Sequence, residues 1–230
     1  MNTNILFYFS LLFLLGCASP QKHFSKGNYQ KAFNSALSDL QKKNDRKLKQ
    51  ILNQSFDEIL EDKTYRIANL IASSELRKWE EAFELYQDIM VDYDRAHRFL
   101  NPKYDTIVDK LIDENELLAL MISDRFEELA YDNMEEYERH NDKYAAQQAN
   151  KYFNRIQYYQ PDYPGIDTLL NLSYNAGVIN YLVDVNIWDF TYQWDIDQEF
   201  GQLKNKSWGY YRVFYNTVVS NIDCEIDLNF

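Results

Sequence analysis

Glycine and proline are scarce in this chain. Its 230 residues include six glycines and four prolines, and no glycine lies between Gly27 and Gly165. Turns depend on these two residues, so a stretch this long without glycine favours packed helices over a β-rich fold. The same scarcity removes the glycine spacing of a phosphate-binding loop, and there is no Gly-x-Ser-x-Gly nucleophile motif.

Histidine and cysteine are also rare. The three histidines, His23, His97 and His140, are scattered, and the two cysteines are Cys17 and Cys224. No His-Glu-x-x-His motif or paired Cys/His motif is present, so we predict no metal site and no cofactor. Two cysteines are too few for a disulfide framework or a thiolate metal site, the more so if Cys17 is consumed by a lipid.

Positive charge is in short supply. Lysine and arginine total 24 against 36 acidic residues, which gives a net charge of −12. An acidic surface of this strength argues against nucleic acid as a partner and against docking on anionic lipid headgroups.

A long apolar run is missing as well. The run Ile5–Leu15 has eleven residues, too few to span a bilayer, and matches the apolar region of a secretory signal peptide.

The residues after this run carry a specific resemblance. Leu14-Leu15-Gly16-Cys17 resembles the lipobox read by signal peptidase II, which implies cleavage before Cys17 and acylation of that cysteine. The alternative is a signal peptide cut elsewhere, with Cys17 incidental. No Asp follows Cys17 as an inner-membrane retention signal, and no acidic cluster resembles a surface-export signal. We therefore expect the periplasmic face of the outer membrane, with the cell surface and the inner membrane as alternatives.

Apolar residues recur at helical spacing from about residue 28 to residue 180. The clearest stripe combines Trp79, Phe83 and Tyr86 with Ile89 and Tyr93, in steps of three and four. Breaks are predicted at residues 44–45, 62–63, 101–102, 141–142 and 161–165, and the separate apolar stripes along this region indicate about eight helices. The predicted organisation is a signal peptide over 1–16, an acylated cysteine and tether over 17–27, a helical domain over 28–180 and a small β-rich region over 181–230.

A short pattern recurs within the helical region: an aromatic residue after a turn, then a small alanine, then a large residue four positions on. Its positions are Gly27, Tyr29 and Ala32, then Trp79, Ala82 and Tyr86, and more loosely Ala149, Phe153 and Pro161. This resembles the second half of a tetratricopeptide repeat. Together with the lipobox, the chain resembles tetratricopeptide-repeat-like lipoproteins of Bacteroidota. That resemblance implies a mainly α fold, an irregular solenoid of helical hairpins. The alternative is a generic helical bundle.

After Gly177 the pattern becomes β-branched and alternating. Strands are predicted in three segments, 181–187, 210–219 and 224–230. Because the chain stops at Phe230 in the middle of this pattern, either the sequence is truncated or the last strand pairs with a neighbouring molecule.

No catalytic constellation emerges, so we predict that the protein is not an enzyme. A hydrolase that uses two carboxylates is the enzymatic alternative, because 36 acids offer many pairs. The leading hypothesis is a membrane-anchored scaffold that binds another envelope protein or peptide. The second hypothesis is glycan binding through an exposed aromatic patch, for which the candidates are Trp188, Tyr192 and Trp194.

Overall fold

A computed structural model describes residues 19–186, 206–215 and 222–229. The described residues form seven α-helices: α1 (Pro20–Phe24), α2 (Tyr29–Leu40), α3 (Arg46–Ile71), α4 (Leu76–Ala96), α5 (Lys103–His140), α6 (Lys143–Tyr159) and α7 (Ile166–Ala176). A short 3-10 helix, His97–Phe99, follows α4. The strands are β1 (Ile179–Asn186), β2 (Lys206–Trp208), β3 (Tyr211–Tyr215) and β4 (Cys224–Asn229). Among these helices, none is both long and apolar enough to cross a bilayer.

The prediction of a mainly helical chain with a small sheet near its end is confirmed. Amphipathic spacing is the main cause, because each helix buries one stripe and leaves the rest to solvent. Aspartates define two helix starts. The Asp45 carboxylate accepts hydrogen bonds from the backbone N–H groups of Lys47 and Leu48, and Asp142 caps α6 in the same way. These bonds pair amide groups that a helix start leaves without partners.

The chain divides into two compact units, with the boundary between Leu118 and Ala119 inside α5. In the first unit, α2 packs against α3 and α3 against α4. Aromatic rings fill its core. The Phe56 ring lies 5.8 Å from that of Phe33 and 5.0 Å from that of Tyr104, measured between centroids, and all three side chains are fully buried.

The second unit combines the end of α5 with α6, α7 and the sheet. The Phe126 ring on α5 stacks near Tyr152 and Tyr159 of α6, with centroids 5.9 and 6.1 Å away. Polar side chains of α6 join it to its neighbours. Asn150 donates to the Ser173 hydroxyl at 2.9 Å, and Gln147 donates to the Gly177 carbonyl at 2.8 Å.

The described strands form one sheet in the order β2-β3-β1-β4. β1 pairs in parallel with β3 on one side, with Ile179 opposite Tyr211, and with β4 on the other, with Tyr181 opposite Cys224. β2 pairs antiparallel with β3 through the two-residue turn at Gly209. Gly209 has φ +57°, a conformation that glycine adopts without strain.

Several sequence expectations differ from the structure. The predicted helix break at residues 62–63 is wrong, because α3 continues to Ile71 and the chain turns only before Leu76. Helix α1 lies inside the segment expected to be a tether. The units divide at Leu118, where the sequence suggested one helical domain up to residue 180. Within residues 28–180, for which about eight helices were expected, six α-helices occur.

Candidate binding groove on the first helical hairpin

A groove of about 770 Å³ runs along the α2–α3 hairpin. The start of α2 forms one wall and the second half of α3 forms the other. The lining residues are Gly27, Asn28, Tyr29, Gln30 and Lys31 on the first wall, and Glu58, Ile59, Glu61, Asp62, Lys63 and Tyr65 on the second. The groove therefore belongs wholly to the first unit.

The turn between α1 and α2 positions the first wall. Gly27 has φ +71°, and its amide donates to the Phe24 carbonyl at 2.9 Å. A side chain at this position would have open space around it but a strained backbone, so the turn requires glycine for its φ. The turn brings Phe24 edge-on to Tyr29, with ring centroids 5.3 Å apart. This contact holds the Tyr29 ring at the mouth of the groove.

The second wall is an acidic stripe on α3. Glu58, Glu61, Asp62 and Tyr65 occupy positions i, i+3, i+4 and i+7, which lie on one face of a helix. Tyr65 is 71% exposed, although large aromatic side chains are commonly buried. An exposed tyrosine therefore continues a row of carboxylates along the same wall.

The groove is lined by more acidic than basic side chains. The charge of the Glu58 carboxylate, together with burial and a hydrogen bond to that carboxylate, raises the pKa of Tyr29 above its usual value. The Tyr29 hydroxyl therefore stays protonated at neutral pH. Two lysines also line the groove, but Lys63 already faces Asp88 at 3.3 Å and Asp92 at 3.8 Å. Lys31 and three carboxylates, those of Glu58, Glu61 and Asp62, line the same groove.

A polar cluster beneath the groove ties its walls to α4. Asp92, a buried residue, accepts from the Gln30 amide at 2.9 Å and from Arg95 at 3.2 Å. Arg95 also donates to the Asn34 side chain at 3.1 Å. Because Gln30 and Lys63 line the groove and contact Asp92, this cluster fixes the spacing of α2, α3 and α4.

Comparisons with models of protein families, with curated proteins and with solved structures found no match to the chain. The chemistry of the groove therefore has to be judged from its own residues. Within the described ranges, no group of three or more His, Cys, Asp or Glu side chains is arranged to hold a metal ion. Carboxylates and tyrosines in an open groove suit the binding of a cationic, partly aromatic or aliphatic chain.

The repeat positions read from the sequence are mostly core residues. Of these, Tyr29 and Gly27 line the groove. Five are buried: Ala32, Ala82, Tyr86, Ala149 and Phe153. The half-buried Trp79 donates its indole N–H to the Ser73 carbonyl at 2.6 Å, and the exposed Pro161 lies in the turn after α6. The Tyr86 hydroxyl donates to Glu114 at 3.0 Å. The third copy lies in the second unit.

Four predicted site residues fall outside the described part of the chain. They are the acylation position Cys17 and the proposed aromatic patch of Trp188, Tyr192 and Trp194. A different group of aromatic side chains is exposed on the described sheet. Tyr181 and Tyr211 have ring centroids 6.0 Å apart, and Tyr211 is 38% exposed. Tyr144, 59% exposed at the start of α6, also contributes to the raised pKa of Tyr181, after the larger effects of burial and of Cys224.

The acidic stripe is not among the predicted sites, although its signal is present in the sequence. The spacing of Glu58, Glu61, Asp62 and Tyr65 is as regular as that of any apolar stripe in the chain. The predicted break at residues 62–63 cut this pattern in two. Without that break, the helical spacing of these acidic residues predicts one continuous acidic face, which is the second wall of the groove.

Proposed function

We propose that this protein is a membrane-anchored envelope lipoprotein without enzymatic activity, which binds a basic, extended segment of another envelope protein. The groove that combines three carboxylates with Tyr29 and Tyr65 is the observation that carries this proposal. Acylation of Cys17 supplies the membrane anchor, at the outer membrane and on its periplasmic face. No cofactor takes part.

The neighbour relations of the helices support a tetratricopeptide-like scaffold. In stacked helical hairpins, the first helices of successive hairpins are neighbours, and so are the second helices. Here α2 contacts α4 through Gln30 and Asp92, and α3 contacts α5 through Tyr104, whose hydroxyl donates to the Asn53 carbonyl at 3.0 Å. Arg95 and Asn34 add a second α2–α4 contact. A generic helical bundle is the competing arrangement.

Charge complementarity identifies the class of partner. Exposed carboxylates attract lysine and arginine side chains, and the faces of exposed tyrosines add cation–π contacts. Each exposed ion pair contributes about 0.2–1 kcal/mol, so several must act together. The glutamate and aspartate at positions 61 and 62 lie one turn from both Glu58 and Tyr65, which lets a single extended segment meet all four.

Fluorescence anisotropy with a labelled lysine-rich peptide tests the proposal on the mature full-length chain. The double variant Glu61→Gln with Asp62→Asn should weaken binding about threefold to thirtyfold, which corresponds to about 0.3–1 kcal/mol per lost pair. The matched control is Asp113→Asn with Glu116→Gln, which removes the same charge from exposed positions of α5 outside the groove. Equal weakening by both pairs would show attraction to net charge alone and would reject the groove as the site.

Glycan binding is the second candidate function, and three tyrosines on and beside the sheet, of which Tyr144 and Tyr211 are exposed, favour it. Tyr144, Tyr181 and Tyr211 offer aromatic faces on which sugar rings can stack. The test is intrinsic fluorescence during titration with oligosaccharides. Tyr211→Ala should abolish a saturable change, while Tyr65→Ala, which removes an exposed tyrosine from the other unit, should leave it intact. A response that survives Tyr211→Ala would reject these tyrosines as the glycan site.

A further inference from the structure

Helix α1, which begins three residues after Cys17, packs against the two helices that form the groove. Ser19 caps this helix, because its side-chain oxygen accepts from the Lys22 amide, and Pro20 at the first helical position is buried. α1 packs on α2 and also contacts α3. The Phe24–Tyr29 ring contact joins it directly to the wall of the groove.

This arrangement limits how far the groove can stand from an acylated Cys17. Residues 17 to 19 span at most about 8 Å, whatever their conformation, because consecutive Cα atoms lie 3.8 Å apart. α1 adds about 1.5 Å per residue. The amide of Gly27 then returns to the Phe24 carbonyl at 2.9 Å. The near edge of the groove therefore lies within about 25 Å of the Cys17 Cα, whereas a flexible tether of 40 residues would allow about 35 Å on average and more when stretched.

We propose that the groove binds a membrane-proximal segment: basic residues next to the membrane anchor of a second protein in the same bilayer. This inference rests on the proposed function, since it assumes both the acylation of Cys17 and a basic occupant of the groove. Acylation would hold the groove close to the headgroups, where a basic stretch beside a membrane anchor is within reach. A partner whose basic segment stands far from the bilayer would meet the groove less often.

Charge explains why a protein segment is a better occupant than the bilayer itself. The chain carries a net charge of −12, and Glu58, Glu61 and Asp62 face the groove, so anionic headgroups are repelled. A basic segment is attracted both to the groove and to an anionic lipid surface. The two therefore compete, and a larger share of anionic lipid should reduce occupancy of the groove.

Vesicles of phosphatidylcholine that carry the acylated full-length protein test this proposal. The probe is a fluorescent lysine-rich peptide, used free in solution and attached to lipid through either a short spacer of about 20 Å or a long spacer of about 100 Å. Binding should be at least tenfold tighter for the short-spacer peptide than for the free peptide, because both partners share one surface. The Glu61→Gln, Asp62→Asn pair should remove this gain, and the Asp113→Asn, Glu116→Gln pair should retain it.

The outcomes separate this inference from the proposed function. If the free peptide binds the groove but only the long-spacer peptide gains affinity on vesicles, the groove stands away from the bilayer and the inference is overturned while the proposed function stands. If the free peptide does not respond to the groove variants at all, the proposed function fails first. If the short-spacer peptide binds more tightly than the free peptide, and this gain in affinity falls as phosphatidylglycerol is added, both the inference and the competition between groove and anionic lipid are supported.

Discussion

Replacing Asp92 with alanine removes the acceptor at the centre of the cluster that joins α2, α3 and α4. The Asp92 side chain is 8% exposed. Its oxygens accept from Gln30 at 2.9 Å and from Arg95 at 3.2 Å, and the Lys63 ammonium lies 3.8 Å away. Loss of the carboxylate leaves these donors without their buried partner, so the free energy of unfolding should fall.

The size of the loss in unfolding free energy depends on whether each hydrogen-bond donor can find another partner or return to water. Removing one partner of a buried ion pair costs about 3–5 kcal/mol. Arg95 is half exposed and can return to water, and Lys63 keeps its contact with Asp88 at 3.3 Å. We therefore expect Asp92→Ala to lower the free energy of unfolding by about 2–3 kcal/mol. Asp92→Asn keeps an acceptor for Gln30 and should cost about 1–2 kcal/mol.

Urea unfolding followed by circular dichroism measures the loss, and hydrogen exchange in α2 and α4 assigns it to the first unit. Asp88→Ala is the matched control, because Asp88 contacts the same lysine but is 65% exposed. That variant should cost less than about 1 kcal/mol. A loss for Asp92→Ala no greater than that for Asp88→Ala would refute the argument that burial sets the cost.

Three further variants test the core and the second unit. Phe56→Ala should lower the free energy of unfolding by about 3–5 kcal/mol in urea titrations, while the exposed Tyr65→Ala should change it little. Gly177→Ala should cost about 1–3 kcal/mol in the same assay, because its Cβ would lie 2.7 Å from the Gln147 Cγ atom. For Asp223, burial would raise the pKa, but hydrogen bonds from Lys143 and the Asn180 amide outweigh it and lower the pKa. Its stabilisation is therefore present at neutral pH and is lost as the pH falls through the lowered pKa of the folded protein, so Asp223→Asn should cost more at pH 7 than at pH 3 in unfolding measurements.

Most of the helices could be predicted, because the apolar stripes end where turn-forming residues occur in the sequence. Breaks at residues 44–45, 101–102, 141–142 and 161–165 all coincide with ends of helices. The break at residues 62–63 failed for a physical reason. Asp62 and Lys63 are charged, but both can continue a helix when they face solvent or an acidic partner, and Lys63 faces Asp88 and Asp92.

The sheet was predicted in part. Three of its strands follow from alternating β-branched and aromatic residues, but the sequence does not reveal which strands pair. The parallel pairing of β1 with both β3 and β4 joins residues that are distant in the chain, and no local pattern encodes it. The short strand β2 was missed, although Gly209 between Trp208 and Tyr210 carries the signal of a tight hairpin turn.

The groove could not be found from composition, because an acid on a helix is usually only solvated. What distinguishes Glu58, Glu61 and Asp62 is their position opposite Tyr29. This position depends on how α3 folds back and packs along α2. The connection between α2 and α3, residues 41–45, sets that packing, and the sequence shows only that a turn lies there.

The order of the strands also has a consequence for how the chain folds as it is made. β1 is complete at Asn186, yet both of its partners are synthesised later, beginning at Tyr211 and Cys224. Helical hairpins close through local contacts and form early, whereas a parallel sheet must wait for distant residues. Until then β1 is an unpaired strand beside folded helices, which exposes it to proteases and to pairing with other chains. Rapid synthesis of the 43 residues from the end of β1 to the end of β4 therefore shortens this exposure.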